Sequence, residues 1–185
     1  MNVKLKQDSW INEAFSALAE GGVDSVKVEV LAKRLKVTKG GFYWHFKNRG
    51  DLLARLLENW RDGRIRTIAE QTTTNQSAYE TLRFLLDLYT GPSNPRGSAI
   101  ELAVRDWART DVDAAAAVRE VDDARLSSVA ALFEQLGLDA DQAYARAFLF
   151  YSYIFGQSLL HTGGVSPNET QIKGLCAALL VPEAS

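Results

Sequence analysis

The sequence is poor in the features that mark many functional classes. It has one cysteine, Cys176, which excludes an internal disulfide framework and a cysteine-rich zinc site and fits a reducing compartment. Its four prolines all lie beyond residue 91, so no proline interrupts a helix before that point. Two histidines leave little for acid–base work, and no phosphate-binding loop, HExxH pair or nucleophile elbow is present, so an enzyme is not expected. The opening stretch MNVKLKQDSW has no apolar run; no secretory signal is read, and a cytoplasmic protein is expected. Charge is missing between Arg146 and Glu169. Ser152, Gln157, Ser158, His161 and the Gly163-Gly164 break nevertheless leave that stretch short of the ~20 apolar residues needed to cross a bilayer.

What is present is an ordinary globular composition: 185 residues, 46% apolar and 24% charged, enough to bury a core without staples. The net charge of −2 hides an asymmetry. Residues 1 to 66 carry 13 basic and 8 acidic groups, and the rest of the chain carries 8 and 15. A basic head on an acidic body points to nucleic acid at one end.

Helical spacing dominates the pattern, and the fold class is all-α with about nine helices. Trp10, Ile11, Ala14, Phe15, Leu18 and Ala19 form a first stripe that stops at Gly21-Gly22. Residues 28–36 and 38–46 make two short helices separated by about one residue, a helix-turn-helix spacing. Asn48, with Asp51 three residues on, starts a long fourth helix, and Ser77 with Glu80 forms a capping box for the fifth. Residues 91–98, GPSNPRGS, read as a loop. Ile100, Val104, Trp107 and Ala108 make a sixth stripe, and Asp111 caps a seventh helix running to Gly137. An eighth, over 143–160, is apolar nearly all round, with Phe148, Leu149, Phe150, Tyr151, Tyr153, Ile154, Phe155, Leu159 and Leu160. The ninth opens on the capping box Ser166-Pro167-Asn168-Glu169. A helix needing burial on both sides at the end of a small chain is explained most simply by a homodimer.

The chemistry concentrates in Thr38-Lys39-Gly40-Gly41-Phe42-Tyr43-Trp44-His45-Phe46-Lys47-Asn48-Arg49. Three successive residues of a helix cannot all face one core, so at least one of Tyr43, Trp44 and His45 is exposed beside Lys39, Lys47 and Arg49. Exposed polar-tipped rings among cations suit a phosphate backbone, and a second helix with a free N-terminus is the element a helix-turn-helix lays in the major groove.

Ala14, Gly21, Val28-x-x-Leu31-Ala32, Val37-Thr38-Lys39-Gly40, Tyr43-x-His45-Phe46 and Leu52-Leu53 together resemble the TetR family of bacterial transcription repressors. The resemblance covers about the first 60 residues; beyond residue 66 it rests on helix count, Trp107 before Asp111 and two final helices. It implies a helix-turn-helix DNA-binding domain at 1–47 and an effector-binding and dimerisation domain at 48–185. It implies a homodimer, most simply a repressor, on a palindromic double-stranded DNA operator, with no resident cofactor and a small apolar or aromatic effector. By position, Lys39, Gly40, Gly41 and Trp44 would face base edges, while Lys27, Thr38, Tyr43, His45, Lys47 and Arg49 would meet the phosphate backbone. Phe84, Tyr89, Trp107, Phe133, Phe148 and Tyr151 read by default as core, since aromatic stripes on packed helices usually are; in the family, however, the middle helices enclose the effector, which makes them candidate ligand contacts with Arg105, Gln157 or Tyr151 as polar handle. Tyr153, Leu160, Ile172, Leu175, Cys176 and Leu179 are candidate dimer contacts.

Two residues depart from the family pattern. Lys27 stands where a threonine usually caps the second helix; lysine reaches a phosphate but cannot cap, and Ser25 is the substitute expected. Lys36 stands at a turn position where many members have glycine, so an altered turn is expected. The acidic residues Asp111, Asp113, Glu120, Asp122 and Asp123 read as a solvated face, since helical spacing spreads them, and Cys176 reads as a core or interface residue. A competing reading is an all-helical ligand-binding or interaction protein that keeps the head as a structural unit and no longer reads DNA.

Overall fold

The computed structural model describes residues 6–91, 95–159 and 169–181. Among them the chain forms nine α-helices and one short 3-10 helix: α1 (Gln7–Gly21), the 3-10 turn at Val23–Ser25, α2 (Val28–Arg34), α3 (Lys39–Tyr43), α4 (Arg49–Thr72), α5 (Ala78–Thr90), α6 (Pro95–Trp107), α7 (Val112–Gln135), α8 (Ala140–Leu159) and α9 (Glu169–Leu180). The capping box expected at residues 166–169 and the contacts of Leu160 and His161 lie outside the described residues.

The expected caps form. The Asp51 amide donates to Asn48 Oδ1 at 2.9 Å, and Asp51 Oδ2 in turn accepts from the Lys47 amide at 2.9 Å. Ser77 and Glu80 close the capping box at the start of α5, and Asp111 Oδ1 accepts from the amides of Asp113 and Ala114. Asp139 does the same for Gln142, so α8 begins at Ala140, earlier than the apolar pattern alone indicates. The loop expected over 91–98 is shorter: Pro95 opens α6, because a proline lacks only an N–H that the first turn leaves unused anyway.

The chain divides into two compact units, one of Met1–Arg64 with Asn94–Val121 and one of Ile65–Ser93 with Asp122–Ser185. In the first, Trp10, Ala14, Leu18, Leu31, Phe42, Phe46, Leu52 and Leu56 are buried. The Trp10 and Phe42 rings meet edge-on with centroids 5.4 Å apart, and Phe42 stacks on Phe46 at 5.1 Å. Aromatic pairs of this geometry add to the large area each ring removes from water. Helix α6 packs along α1, where Arg96 donates to the Asn12 carbonyl and to Ser16 Oγ.

In the second unit Leu82, Leu85, Leu86, Val129, Phe133, Ala143, Ala147, Phe150 and Ile154 form the core. Ala143 and Ala147 of α8 are fully buried in this core, and α8 packs against α5. No helix among the described residues is long and apolar enough to cross a membrane.

Candidate nucleic-acid interface

The helix-turn-helix is closed by a backbone motif at the end of α2. The Val37 amide donates to the Ala32 carbonyl at 3.0 Å and the Lys36 amide to the Lys33 carbonyl at 3.2 Å, the paired bonds of a Schellman cap. That cap needs a left-handed residue, and Lys36 supplies it with φ 56°. The lysine thus takes up the glycine-type conformation itself, and the altered turn expected from the sequence does not form. Ser25 is also corrected: its hydroxyl shares its one proton between the Ala17 and Gly22 carbonyls, which ties the 3-10 turn to α1. Lys27 occupies the N-cap of α2, which has no side-chain cap.

Thr38 is the N-cap residue of α3, and Lys39, Gly40, Gly41, Phe42 and Tyr43 make up the helix. Phe42 points inward and anchors it, fully buried. Its neighbours on the opposite side are therefore forced outward: Tyr43 is 62% and Trp44 85% exposed. His45 is half-buried against Phe46, and Lys27, Thr38, Lys39, Gly40 and Lys47 are all exposed. A Cβ at Gly40 meets Thr38 Oγ1 at 3.6 Å and one at Gly41 meets the Trp10 ring at 3.9 Å. Both glycines therefore leave the backbone open to a close partner without being needed for packing.

Arg49 takes a different role from the phosphate contact expected of it. Its Nε donates to the Val26 carbonyl and its NH2 nitrogen to the Val23 carbonyl, each at 2.6 Å. It ties the start of α4 to the segment between α1 and α2. Arg34 locks the other side, with ion pairs to Glu13 at 3.3 Å and Glu20 at 2.8 Å on α1.

A residue that sequence reasoning passed over is Glu29, in the first turn of α2. It accepts a hydrogen bond from Lys39 Nζ at 2.6 Å. That bond, one from the Glu29 backbone amide and the charges of Lys39 and Lys27 hold its carboxyl below the ordinary range. Lys39 and Glu29 are ten residues apart and on different helices, so only the fold reveals the pair.

The residues proposed for effector binding are divided between the two compact units. In the first, Trp107 is buried, and Arg105 pairs with Glu101 at 2.9 Å, which Arg64 of α4 also reaches at 3.2 Å. In the second, Phe133 and Tyr151 are buried, Phe84 and Phe148 are 45% and 59% exposed, and Gln157 is half-buried. Tyr89 donates to Gln71 Oε1 at 2.6 Å. Arg125 is another residue missed: only 5% exposed, it pairs with Asp122 at 3.2 Å and lies 6.0 Å from the Tyr151 and 5.4 Å from the Phe155 ring centroid. Its aspartate partner and cation–π contacts compensate the burial of a charge. The helical repeat of α7 makes Arg125 look like one more solvated charge, which is why the pattern hides it.

Among the expected dimer contacts, Ile172, Leu175 and Leu179 of α9 are 48%, 59% and 75% exposed. On α8, Tyr144, Phe148, Leu149 and Leu159 are exposed too. Tyr153 and Cys176 are half-buried; burial, then the neighbouring Cys176 thiol, raises the Tyr153 hydroxyl above its ordinary value.

Residues 11–56, the stretch from α1 into α4, match the family described as bacterial regulatory proteins, tetR family. Over those residues the chain is similar to that family. Over 55 residues, 30% of this chain, it is 42% identical to the tetracycline repressor protein class A from transposon 1721 of Escherichia coli. The match spans only 26% of that relative. Solved structures extend the likeness in fold to nearly the whole chain. A transcriptional regulator from Rhodococcus sp. Rha1 has a TM-score of 0.75 at 18% identity, covering 97% of this chain and 96% of its own. A transcriptional regulator from Saccharomonospora viridis in complex with choline has a TM-score of 0.75 at 16% identity, covering 95% of each chain.

Proposed function

We propose that the chain is a cytoplasmic, homodimeric transcription regulator, a ligand-responsive repressor that binds a palindromic double-stranded operator and has no catalytic step. The observation that carries this reading is the outward pair Tyr43 and Trp44, 62% and 85% exposed on a helix whose Phe42 is fully buried. Two large rings held in water serve no purpose in the fold, and rings with polar edges among Lys27, Lys39 and Lys47 suit a duplex.

In this reading the DNA-binding domain is 1–47 and the effector-binding and dimerisation domain is 48–185. Lys39, Gly40, Gly41 and Trp44 meet base edges; Lys27, Thr38, Tyr43, His45 and Lys47 meet phosphates. Arg49 contributes by fixing α2 against α4. Two heads on a dimer read half-sites roughly 34–36 Å apart, one turn of B-DNA. The effector is a small apolar or aromatic molecule bound in the body, where Tyr151 and Phe133 supply apolar walls and Gln157 or Tyr151 the polar handle. It releases DNA only to the extent that it prefers the conformer whose heads miss that spacing.

The test is selection of the purified full-length chain against a random duplex library at near-physiological salt. Enrichment of a palindrome supports the reading, and binding to it falls steeply as salt rises because phosphate contacts release counterions. A folded dimer that enriches nothing supports the competing reading of a ligand-binding protein that no longer reads DNA.

A further inference from the structure

Glu29 is out of place on a surface built to attract DNA. Its side chain is 61% exposed and that of Lys39 57% exposed, with 2.6 Å between carboxylate and ammonium. An ion pair so open to water adds little to folding, because screening and side-chain entropy cancel most of its attraction. The pair with Lys39 therefore does not account for the carboxylate, whose one service to the fold is to accept from its own amide in the uncapped first turn of α2. Its effect is on the interface: Lys27 stands at the N-cap position of the helix that carries Glu29, and Lys39 opens the next. One anion thus sits among two of the cations proposed to meet the duplex.

We infer, resting on the proposed DNA-binding function, that Glu29 is a specificity-determining residue of the head, disfavouring arbitrary duplex and selecting half-sites that present a cytosine amino group beside a guanine. On arbitrary sequence a phosphate finds Lys39 already neutralised and meets a like charge beside it. On a matched half-site the carboxylate accepts from cytosine N4, the major-groove donor suited to it, while Lys39 turns to the O6 and N7 acceptors of guanine. The ion pair is then exchanged for two base contacts, and a wrong base leaves the carboxylate facing an acceptor. Discrimination built by penalising the wrong partner costs affinity everywhere except at the right one.

The experiment compares the full-length wild type with Glu29→Gln, which keeps the shape and removes the charge at an exposed position. Each is selected against a random duplex library, then titrated with its enriched site and with an unrelated duplex by fluorescence anisotropy. The wild type is expected to enrich half-sites with one fixed C·G pair that Glu29→Gln relaxes or shifts toward A·T, since an amide pairs with adenine. Affinity of the variant for unrelated duplex is expected to rise about threefold or more, with a salt slope steeper by about one as Lys39 becomes available to phosphate. An unchanged base preference together with unchanged affinity for unrelated duplex overturns the inference while the wild-type palindrome leaves the DNA-binding function standing. A wild type that enriches no sequence overturns both.

Discussion

Arg49 and Val26 are joined across the turn of the head: the arginine Nε donates to the valine carbonyl at 2.6 Å, and a second guanidinium nitrogen reaches the Val23 carbonyl at the same distance. The Val23 carbonyl also accepts from the Val26 amide at 3.2 Å, so the charged donor adds a second bond there and one to the Val26 carbonyl. Arg49→Ala is expected to lower stability by about 2 kcal/mol, within the range for hydrogen bonds to a charged group. Urea unfolding of the full chain checks this, and Arg49→Lys is expected to recover less than half, because an ammonium lacks the two-pronged geometry.

The helix-turn-helix offers a case where sequence rule and structure collide. Lys36 holds φ 56° in a region that costs an L residue ~1–2 kcal/mol. Glycine removes that strain but gains freedom in the unfolded chain, which returns part of the benefit. Lys36→Gly is accordingly expected to stabilise the head by about 0.5 kcal/mol. The midpoint of urea unfolding should rise with no change in slope, and a lowered midpoint would show that the left-handed turn is not strained.

Much of this was legible before the fold. Phe42 and Phe46 bracket Tyr43, Trp44 and His45 in sequence, and helical geometry alone requires some of the three to face water. The caps at Asn48, Ser77 and Asp111 were equally plain, because a cap acts within three or four residues. What stayed hidden depends on contacts between distant segments. Glu29 with Lys39, and Glu101 with Arg64, carry no local signature, and Ser25 looked like a cap until α1 provided a better partner.

Position on α3 separates folding from recognition. Phe42 is fully buried and Trp44 85% exposed, two residues apart. Phe42→Ala is expected to cost about 3–5 kcal/mol, the range for emptying a core aromatic site. Trp44→Ala and Tyr43→Ala are expected to stay within about 0.5 kcal/mol of wild type, as surface substitutions do. Operator binding should nevertheless weaken about fivefold or more for each, since a base-edge contact is worth ~1–3 kcal/mol and a phosphate contact is taken as comparable. Thermal unfolding and anisotropy titrations on the same samples check both halves; unchanged operator affinity would place recognition elsewhere.

Glu101 is 6% exposed and lies between Arg64 at 3.2 Å and Arg105 at 2.9 Å, which links α4 to α6 within the first unit. Breaking a fully enclosed pair costs ~3–5 kcal/mol, because the surviving charge stays buried without a partner. Both arginines keep about a quarter of their side-chain surface in water, so Glu101→Gln is expected to cost less, about 2 kcal/mol. Urea unfolding measures it, and Glu101→Met tests the cause. If loss of charge pairing dominates, Glu101→Met is at least as damaging as Glu101→Gln; if the cluster is only tolerated, methionine packs into the site and restores stability.

The apolar face of the final helices makes the last expectation. Leu175 and Leu179 are four residues apart on one side of α9, 59% and 75% exposed, and Phe148 of α8 is 59% exposed. A lone chain would hold these side chains in water, and each buried in a dimer gains ~1.5–3 kcal/mol when fully covered. Leu179→Glu leaves the protomer core untouched, since its site is already solvent-facing, but places a charge and its copy in the shared face. Sedimentation is expected to show a shift from two chains to one at micromolar concentration, with helical content retained. Operator affinity should fall with it, because a single head contacts only one half-site. A variant that stays dimeric would move the assembly surface away from α9.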